Sequence, residues 1–335
     1  MEPLRIGVLG AARISNIAIV QPANLTGHRL VAIAARDHAR ATDYAAAHGI
    51  ERVLDSYQAV IDDPEVEAVY NPLPNGLHGP WNLRAIAAGK HVLTEKPSAS
   101  NAAEARAVRD AAAAAGVHVM EAFHYRYHPV MLRMLELAGS GELGEIVDVD
   151  VHMGYPIANP DDPRWSLALA GGSVMDVGCY AVHALRSLGA HLGGEPVVAS
   201  GQGESRPSRP GVDEWIEATV DFPNGVPGRL LSTFIGDGMD FTLKLVGTRG
   251  EAFAQNFVLP HMNDRITVTV DGRTRVERMG RRSSYAYQLE AFADLVRHGT
   301  RVPTDADDAL TQAEMIDAVY RAAGFQPRPT STIGA

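Results

Sequence analysis

The chain has 335 residues, 46% hydrophobic and 21% charged, which fits a soluble globular protein too long for one ordinary core, so two domains are expected. A net charge of −10 argues against nucleic acid and anionic membrane surfaces as partners, because both call for a basic face. One cysteine, Cys179, allows no intrachain disulfide; with no leader-like start and no long uncharged apolar run, the expectation is a reducing cytoplasm and no membrane span.

In chain order, Leu4 to Leu9 predicts a buried strand and a helix follows to about Leu25. Arg29 to Ala34 predicts a strand, Ala39 to His48 a helix, Ala68 to Tyr70 a strand and Trp81 to Ala88 a helix. His91 to Thr94, Ala102 to Ala115 and Val117 to Met120 continue as strand, helix, strand. This alternation predicts a doubly wound parallel sheet of the Rossmann type over 1–121. Beyond it, Ile146 to Val151, Trp215 to Phe222, Arg229 to Phe234, Phe241 to Leu245 and Ile266 to Val270 alternate in period two. They predict an α/β domain over 122–335 on an open, mostly antiparallel sheet. Its helices are expected near Pro129 to Ala138, Gly178 to Leu188, Tyr287 to Arg297 and Asp307 to Ala322, the last packing back on the first domain. Gly201 to Gly211, rich in Ser, Arg and Pro, reads as a mobile surface loop.

The first strand runs into Gly10-Ala11-Ala12-Arg13-Ile14-Ser15. Against the dinucleotide fingerprint, Gly10 fills the first glycine, Ala12 the second and Ser15 the third, so one glycine of three is present. The place is right, after a strand and opening a helix whose N-terminus suits a pyrophosphate. Gly10, Ala12, Arg13 and Ile14 are the expected cofactor contacts. At the end of the second strand an acid would bind a ribose 2′-hydroxyl. Here that position falls on Ala35, followed by Arg36, which suits a 2′-phosphate, with Arg40 adding charge. NADP is therefore favoured over NAD; if the strand ends two residues later, Asp37 becomes the ribose acceptor instead.

Two segments look chemical. Thr94-Glu95-Lys96-Pro97 lies at a strand's carboxyl end, where such sheets bind ligands, and Pro97 allows a cis bond that fixes the turn. In Gly171 to His183, Asp176, Tyr180 and His183 fall at i, i+4 and i+7, one face of a helix carrying an acid, a phenol and an imidazole. The bland alternative is a helix capped by Asp176 with the two rings packed as core.

Taken with Leu9 to Ile14, Pro74-Asn75-Gly76-Leu77-His78, Glu95-Lys96-Pro97 and Glu121 to Pro129, this segment makes nearly the whole chain resemble the Gfo/Idh/MocA oxidoreductases. Within them it is most similar to dimeric dihydrodiol dehydrogenases, glucose-fructose oxidoreductases and sugar ketoreductases. The resemblance implies hydride transfer between NADP(H) and a sugar, sugar derivative or cyclic polyol. Lys96 would contact the nicotinamide ribose and the substrate oxygen. Tyr180 would hold the acid/base position and Asp176 would bind substrate or support it. Leu73, Asn75, His78, Glu95 and Pro97 would lie along the cofactor. Arg164 and Trp165 match a basic–aromatic pair near nicotinamide or substrate. Arg126 and His183 complete the expected substrate contacts, although many members carry Asp or Asn where His183 stands. A homodimer or homotetramer built on the open sheet is also implied. A phenol of reference pKa about 10 is drawn toward a useful range by an adjacent ammonium, so Lys96 beside Tyr180 makes a workable pair.

Other readings are a trans-dihydrodiol dehydrogenase, a dinucleotide-sensing regulator without turnover, and a glycosidase-like hydrolase using NAD as redox helper. His124 and His128 share helical spacing, but Tyr125 and Pro129 break any zincin pattern, so no metal is expected. Cys179 reads as a packing residue, as do Tyr285, Tyr287 and Gln288.

Overall fold

The computed structural model describes Glu2 to Ser331. Five short runs of apolar residues, β1 (Arg5–Leu9), β2 (Arg29–Ala34), β3 (Ala68–Asn71), β4 (His91–Thr94) and β5 (Val119–Glu121), form a parallel sheet in the order β2-β1-β3-β4-β5. Each is buried almost throughout because helices cover both faces. A π-helical turn, Asn16–Val20, leads into α1 (Gln21–Thr26); α2 (His38–His48), α3 (Tyr57–Asp62), α4 (His78–Ala87) and α5 (Ala102–Ala115) follow. Leu9, Val31, Val69 and Val92 of the sheet pack with Val60, Ile86 and Val108 of the helices. Helix α3 has no counterpart in the sequence reading; Ser56 caps it by accepting from the Ala59 N–H.

The second sheet has eight strands: β6 (Ile146–Gly154), β7 (Val197–Ser205), β8 (Asp213–Asp221), β9 (Pro227–Thr233), β10 (Asp240–Gly247), β11 (Gly250–Ala254), β12 (Arg265–Val270) and β13 (Arg273–Arg278). Their order is β13-β12-β11-β10-β6-β9-β8-β7, and only β6 and β9 pair in parallel. In β6, Val149, Val151 and Met153 are buried while Val147 is exposed and His152 half-buried, the signature of a one-sided sheet. The buried face carries α6 (Pro129–Gly139) and α7 (Cys179–Leu188). Two late helices, α8 (Ser284–His298) and α9 (Ala306–Ala322), end the fold.

Three strands, β7, β11 and β13, differ from the sequence reading. The segment expected to loop from Gly201 is strand as far as Ser205, because β8 supplies a complete antiparallel partner that outweighs the low strand propensity of Gly201-Gln202-Gly203. β13 is an exposed edge whose charges carry no alternating apolar signal.

The expected division at 121/122 is also corrected. Among the described residues, one compact unit runs to Phe123 and takes in Tyr285–Thr311, Thr330 and Ser331; the other comprises His124–Ser284 and Gln312–Pro329. Backbone bonding explains the return: Glu121 donates to the Thr304 carbonyl at 2.9 Å, and Arg297 of α8 pairs with Glu67. It is thus α8, rather than the last helix, that lies almost wholly in the first unit. Leu167–His191 passes for a membrane span by length and composition, but the relevant window is 83% buried inside the protein.

Candidate active site

In the first unit, β1 ends at Gly10, whose φ of +98° is open to glycine and strained for any other residue. A Cβ there would meet Leu73 Cδ2 at 3.2 Å. The Gly10 N–H donates to the Ala34 carbonyl at 2.7 Å, and the Ser15 N–H closes a turn on Ala12. Ala12 and Ile14 are half-buried and Arg13 is exposed in the loop that opens the helix, the place where a phosphate binds in such folds. Arg40 reaches back from α2 and donates to the Ala11 carbonyl at 2.6 Å, which keeps its charge beside the loop. Arg36, the second residue past β2, is exposed. Asp37 is the N-cap of α2, its carboxylate accepting from the Arg40 N–H. Burial raises the pKa of Tyr57, and the Arg36 charge is the largest effect opposing it.

The β3 and β4 exits are tied together by buried polar side chains. Asn71 donates to Asn82 Oδ1 at 2.8 Å, and Asn82 donates to Thr94 Oγ1 and to the Ser98 carbonyl, both at 3.1 Å. Glu95 accepts from the Tyr70 hydroxyl at 2.9 Å. Lys96 follows, half-buried, with a cis bond to Pro97. Asn75 opens a short 3₁₀ turn ending at Leu77.

His78 is 1% exposed, with Nε2 2.6 Å from the Leu73 carbonyl and Nδ1 2.6 Å from the Pro97 carbonyl. Full burial opposes the charged ring while two carbonyl acceptors favour it. Burial wins, the pKa falls to about 4, and the neutral ring donates to one of them. His78 is therefore an internal brace between two loops. The loop residues expected along the cofactor, Leu73 and Pro97, are the ones it spans.

In the second unit, a π-helical turn, Val174–Gly178, runs directly into α7. It packs against β9, which Gly178 permits: a Cβ there would meet Ser232 Oγ at 2.6 Å. Asp176, Tyr180 and His183 are all buried on this segment. Arg164 Nε donates to Asp176 Oδ2 at 2.7 Å, and the Asp176 charge raises the Arg164 pKa. The structure thus joins two residues that the sequence placed separately. Trp165 is packed instead against Phe234, with the Arg206 guanidinium 4.6 Å over its ring. It is 3% exposed, and its indole nitrogen lacks a hydrogen-bond partner.

The Tyr180 hydroxyl lies 3.3 Å from His124 Nε2, and His124 Nδ1 lies 2.8 Å from Ser284 Oγ. Tyr125, ring to ring with Tyr180 at 5.7 Å, bonds His183 Nδ1 through its hydroxyl at 2.7 Å. His183 is thereby engaged by a neighbouring phenol, and Arg126 is half-buried in the turn His124–Tyr127. His128 caps α6, its Nδ1 accepting from the Val130 N–H. His124 was weighed only as a metal ligand in the sequence; its proximity to Tyr180 spans 56 residues and has no local signal.

A deeper cluster sets the start of the Tyr180 segment. Asp213 accepts from Ser173 Oγ and the Val174 N–H at 2.8 Å each, from the Tyr320 hydroxyl at 3.0 Å and from Arg328 at 2.5 Å. Gly172, at φ +129°, makes room for it: a Cβ there would fall 1.9 Å from Asp213 Oδ1.

Comparison with known proteins agrees with this layout. A family model described as an oxidoreductase family with an NAD-binding Rossmann fold (GFO/IDH/MocA) matches residues 4–123, and a GFO/IDH/MocA C-terminal domain model matches residues 131–253. The chain is 37% identical to the D-xylose 1-dehydrogenase (NADP(+)) 2 of Haloferax volcanii, covering 96% of this chain and 97% of that one. It is 32% identical to the mouse trans-1,2-dihydrobenzene-1,2-diol dehydrogenase over 77% of this chain and 76% of that protein. Among solved structures, a 3-ketoreductase from Actinomadura kijaniata in complex with NADP and TDP-benzene superposes with a TM-score of 0.88 at 26% identity, covering 96% and 98% of the two chains. An aldose-aldose oxidoreductase from Caulobacter crescentus superposes equally well at 27% identity, with the same coverage.

Proposed function

The chain belongs to the GFO/IDH/MocA oxidoreductase family, and from that premise we propose an NADP(H)-dependent enzyme acting on the CH–OH or carbonyl group of a sugar, sugar derivative or cyclic polyol. The observation that carries the reading is the buried Tyr180 phenol one turn after an Asp176 held by Arg164. Such an acid/base group beside a charged, hydrogen-bonding pair suits a hydroxylated substrate. The relatives named for xylose, sugar ketones and a cyclic diol support the substrate class.

The first unit fits a dinucleotide. The Gly10 turn leaves space that a Cβ would fill, a helix starts directly after it, and Arg36 is exposed past the end of β2, where a 2′-phosphate would need it. Gly10, Ala12, Arg13, Ile14, Arg36 and Arg40 would hold it, with Asn75, Glu95, Lys96 and Pro97 toward its nicotinamide half. When bound, the nicotinamide supplies or accepts the hydride. In the reducing direction Tyr180 gives its proton to the carbonyl oxygen while the Lys96 ammonium stabilises the negative charge developing there. Asp176 and Arg164 orient the substrate hydroxyls. The oxidising direction reverses these transfers. A homo-oligomer in the cytoplasm belongs to the same proposal.

The test is NADP⁺ reduction with D-xylose, other aldoses and a trans-dihydrodiol, in wild type and in Tyr180→Phe and Lys96→Met. We expect turnover by wild type only, with NADPH binding kept in Tyr180→Phe and weakened at most modestly in Lys96→Met, whose contact is to the nicotinamide half alone. Cofactor binding without turnover of any such substrate would favour a sensor. Wild-type rates in either variant would remove that residue from the chemistry.

A further inference from the structure

We infer that His124, backed by Ser284, is the proton relay that recharges and discharges Tyr180; the inference rests on the acid/base reading of Tyr180 given above. A group that gives or takes a proton in every turnover must be reset in every turnover. Tyr180 is 6% exposed, so a bound substrate covers what access its hydroxyl has to bulk water, and a proton acceptor on the protein side is needed while the site is occupied. Its contact with His124 Nε2 at 3.3 Å is long for a resting hydrogen bond, but such contacts tighten when substrate binds. His124 and Ser284 are both 0% exposed, which fixes the imidazole between two oxygen atoms. A serine hydroxyl can donate to Nδ1 or accept from it, so the pair accommodates either tautomer and, equally, the imidazolium.

The proton count closes. In the oxidising direction the Tyr180 phenol proton passes to His124 Nε2, giving an imidazolium whose Nδ1–H donates to Ser284 Oγ. The phenolate then takes the substrate hydroxyl proton as the hydride leaves carbon for NADP⁺. One hydride has gone to the cofactor and one proton is stored on His124; once product leaves, that proton returns to solvent through the Tyr180 hydroxyl, the more exposed end of the pair, the phenol giving up its own proton as it takes the one from Nε2. Reduction runs the same steps backward, with the imidazolium reprotonating Tyr180.

The titratable groups around this pair are identifiable. Tyr125, on the same turn as His124, and His183, on α7 with Tyr180, are bonded to each other. Asp176 is held by Arg164.

The experiment compares His124→Phe, His124→Gln and Tyr180→Phe in the full-length protein. Three readouts are used: kcat against pH in both directions, the solvent isotope effect, and tyrosinate absorbance against pH, with the Tyr180→Phe titration subtracted to isolate Tyr180. A relay predicts that both His124 variants lose about a hundredfold in kcat with KM little changed. It also predicts that the acid limb of the oxidation profile disappears and that the Tyr180 titration shifts. Glutamine can hydrogen-bond to both neighbours but cannot carry a proton across, so recovery of rate and profile in His124→Gln would make the histidine a brace and overturn the relay. An inactive Tyr180→Phe beside His124 variants with wild-type profiles would also overturn it. An active Tyr180→Phe would instead remove the acid/base reading on which it depends.

Discussion

The carboxylate of Asp37 accepts a hydrogen bond from the Arg40 backbone N–H at 3.2 Å, so the acid nearest the end of β2 is used as the cap of α2. Arg36 stands one residue earlier, exposed. This arrangement separates the two cofactor alternatives left open by the sequence. Asp37→Asn keeps a good cap and should leave the preference for NADPH intact. Arg36→Ala should weaken NADPH about tenfold or more and NADH little, as expected for one lost charge-assisted bond. Fluorescence titration of each variant with both cofactors checks this. A loss of NADH affinity in Asp37→Asn would return the ribose to Asp37.

Asp213 and Arg328 form an ion pair that is 0% and 1% exposed. Burial pushes the Asp213 carboxyl upward, and the Arg328 charge is the largest effect opposing it. Arg328→Met would strand a buried carboxylate and should cost about 3–5 kcal/mol in urea unfolding. Asp213→Asn combined with Arg328→Met should recover part of that loss. Because Asp213 also binds Ser173 and Val174, both variants should lower kcat more than they weaken NADPH binding.

His78 and His128 are buried, and burial lowers both pKa values from 6.5 to about 4. The unfolded chain therefore takes up two protons that the folded chain refuses. Stability present above pH 6.5 is lost as pH falls toward 4, at about 1.4 kcal/mol per pH unit for each histidine. His128→Asn preserves a capping side chain and should flatten the slope by one proton. Urea midpoints across this interval measure it, and an unchanged slope in the variant would exclude His128 as a contributor.

On the solvent side of β6, His152 Nε2 lies 3.2 Å from Asp150, whose hydrogen bond is the main cause raising the His152 pKa. A raised histidine stabilises the fold below its unfolded pKa and ceases to do so as pH rises through its folded one. His152→Gln should thus cost more below neutrality than above it, and less than about 1 kcal/mol because the pair is partly exposed. A cost independent of pH would assign the effect to packing.

The sequence alone determined what local order can encode. Short apolar runs such as Ala68 to Tyr70 announce buried parallel strands, and the i, i+4 spacing of Asp176 and Tyr180 sets them one turn apart. The Gly10 turn and Glu95-Lys96-Pro97 were legible because each sits at a strand exit, where a parallel sheet exposes its loops. Only the tertiary structure decided which partners these residues meet. The His124–Ser284 contact spans 160 residues and the Arg328–Asp213 bond 115. A polar residue that will be buried looks, in sequence, like one that will face water. Arg328 sits among prolines in what reads as a solvated tail, and β13 is strand only because β12 lies beside it. Periodicity reports which face of an element avoids water. It carries no information on which distant donor satisfies a buried carboxylate, because that depends on the closure of the whole chain.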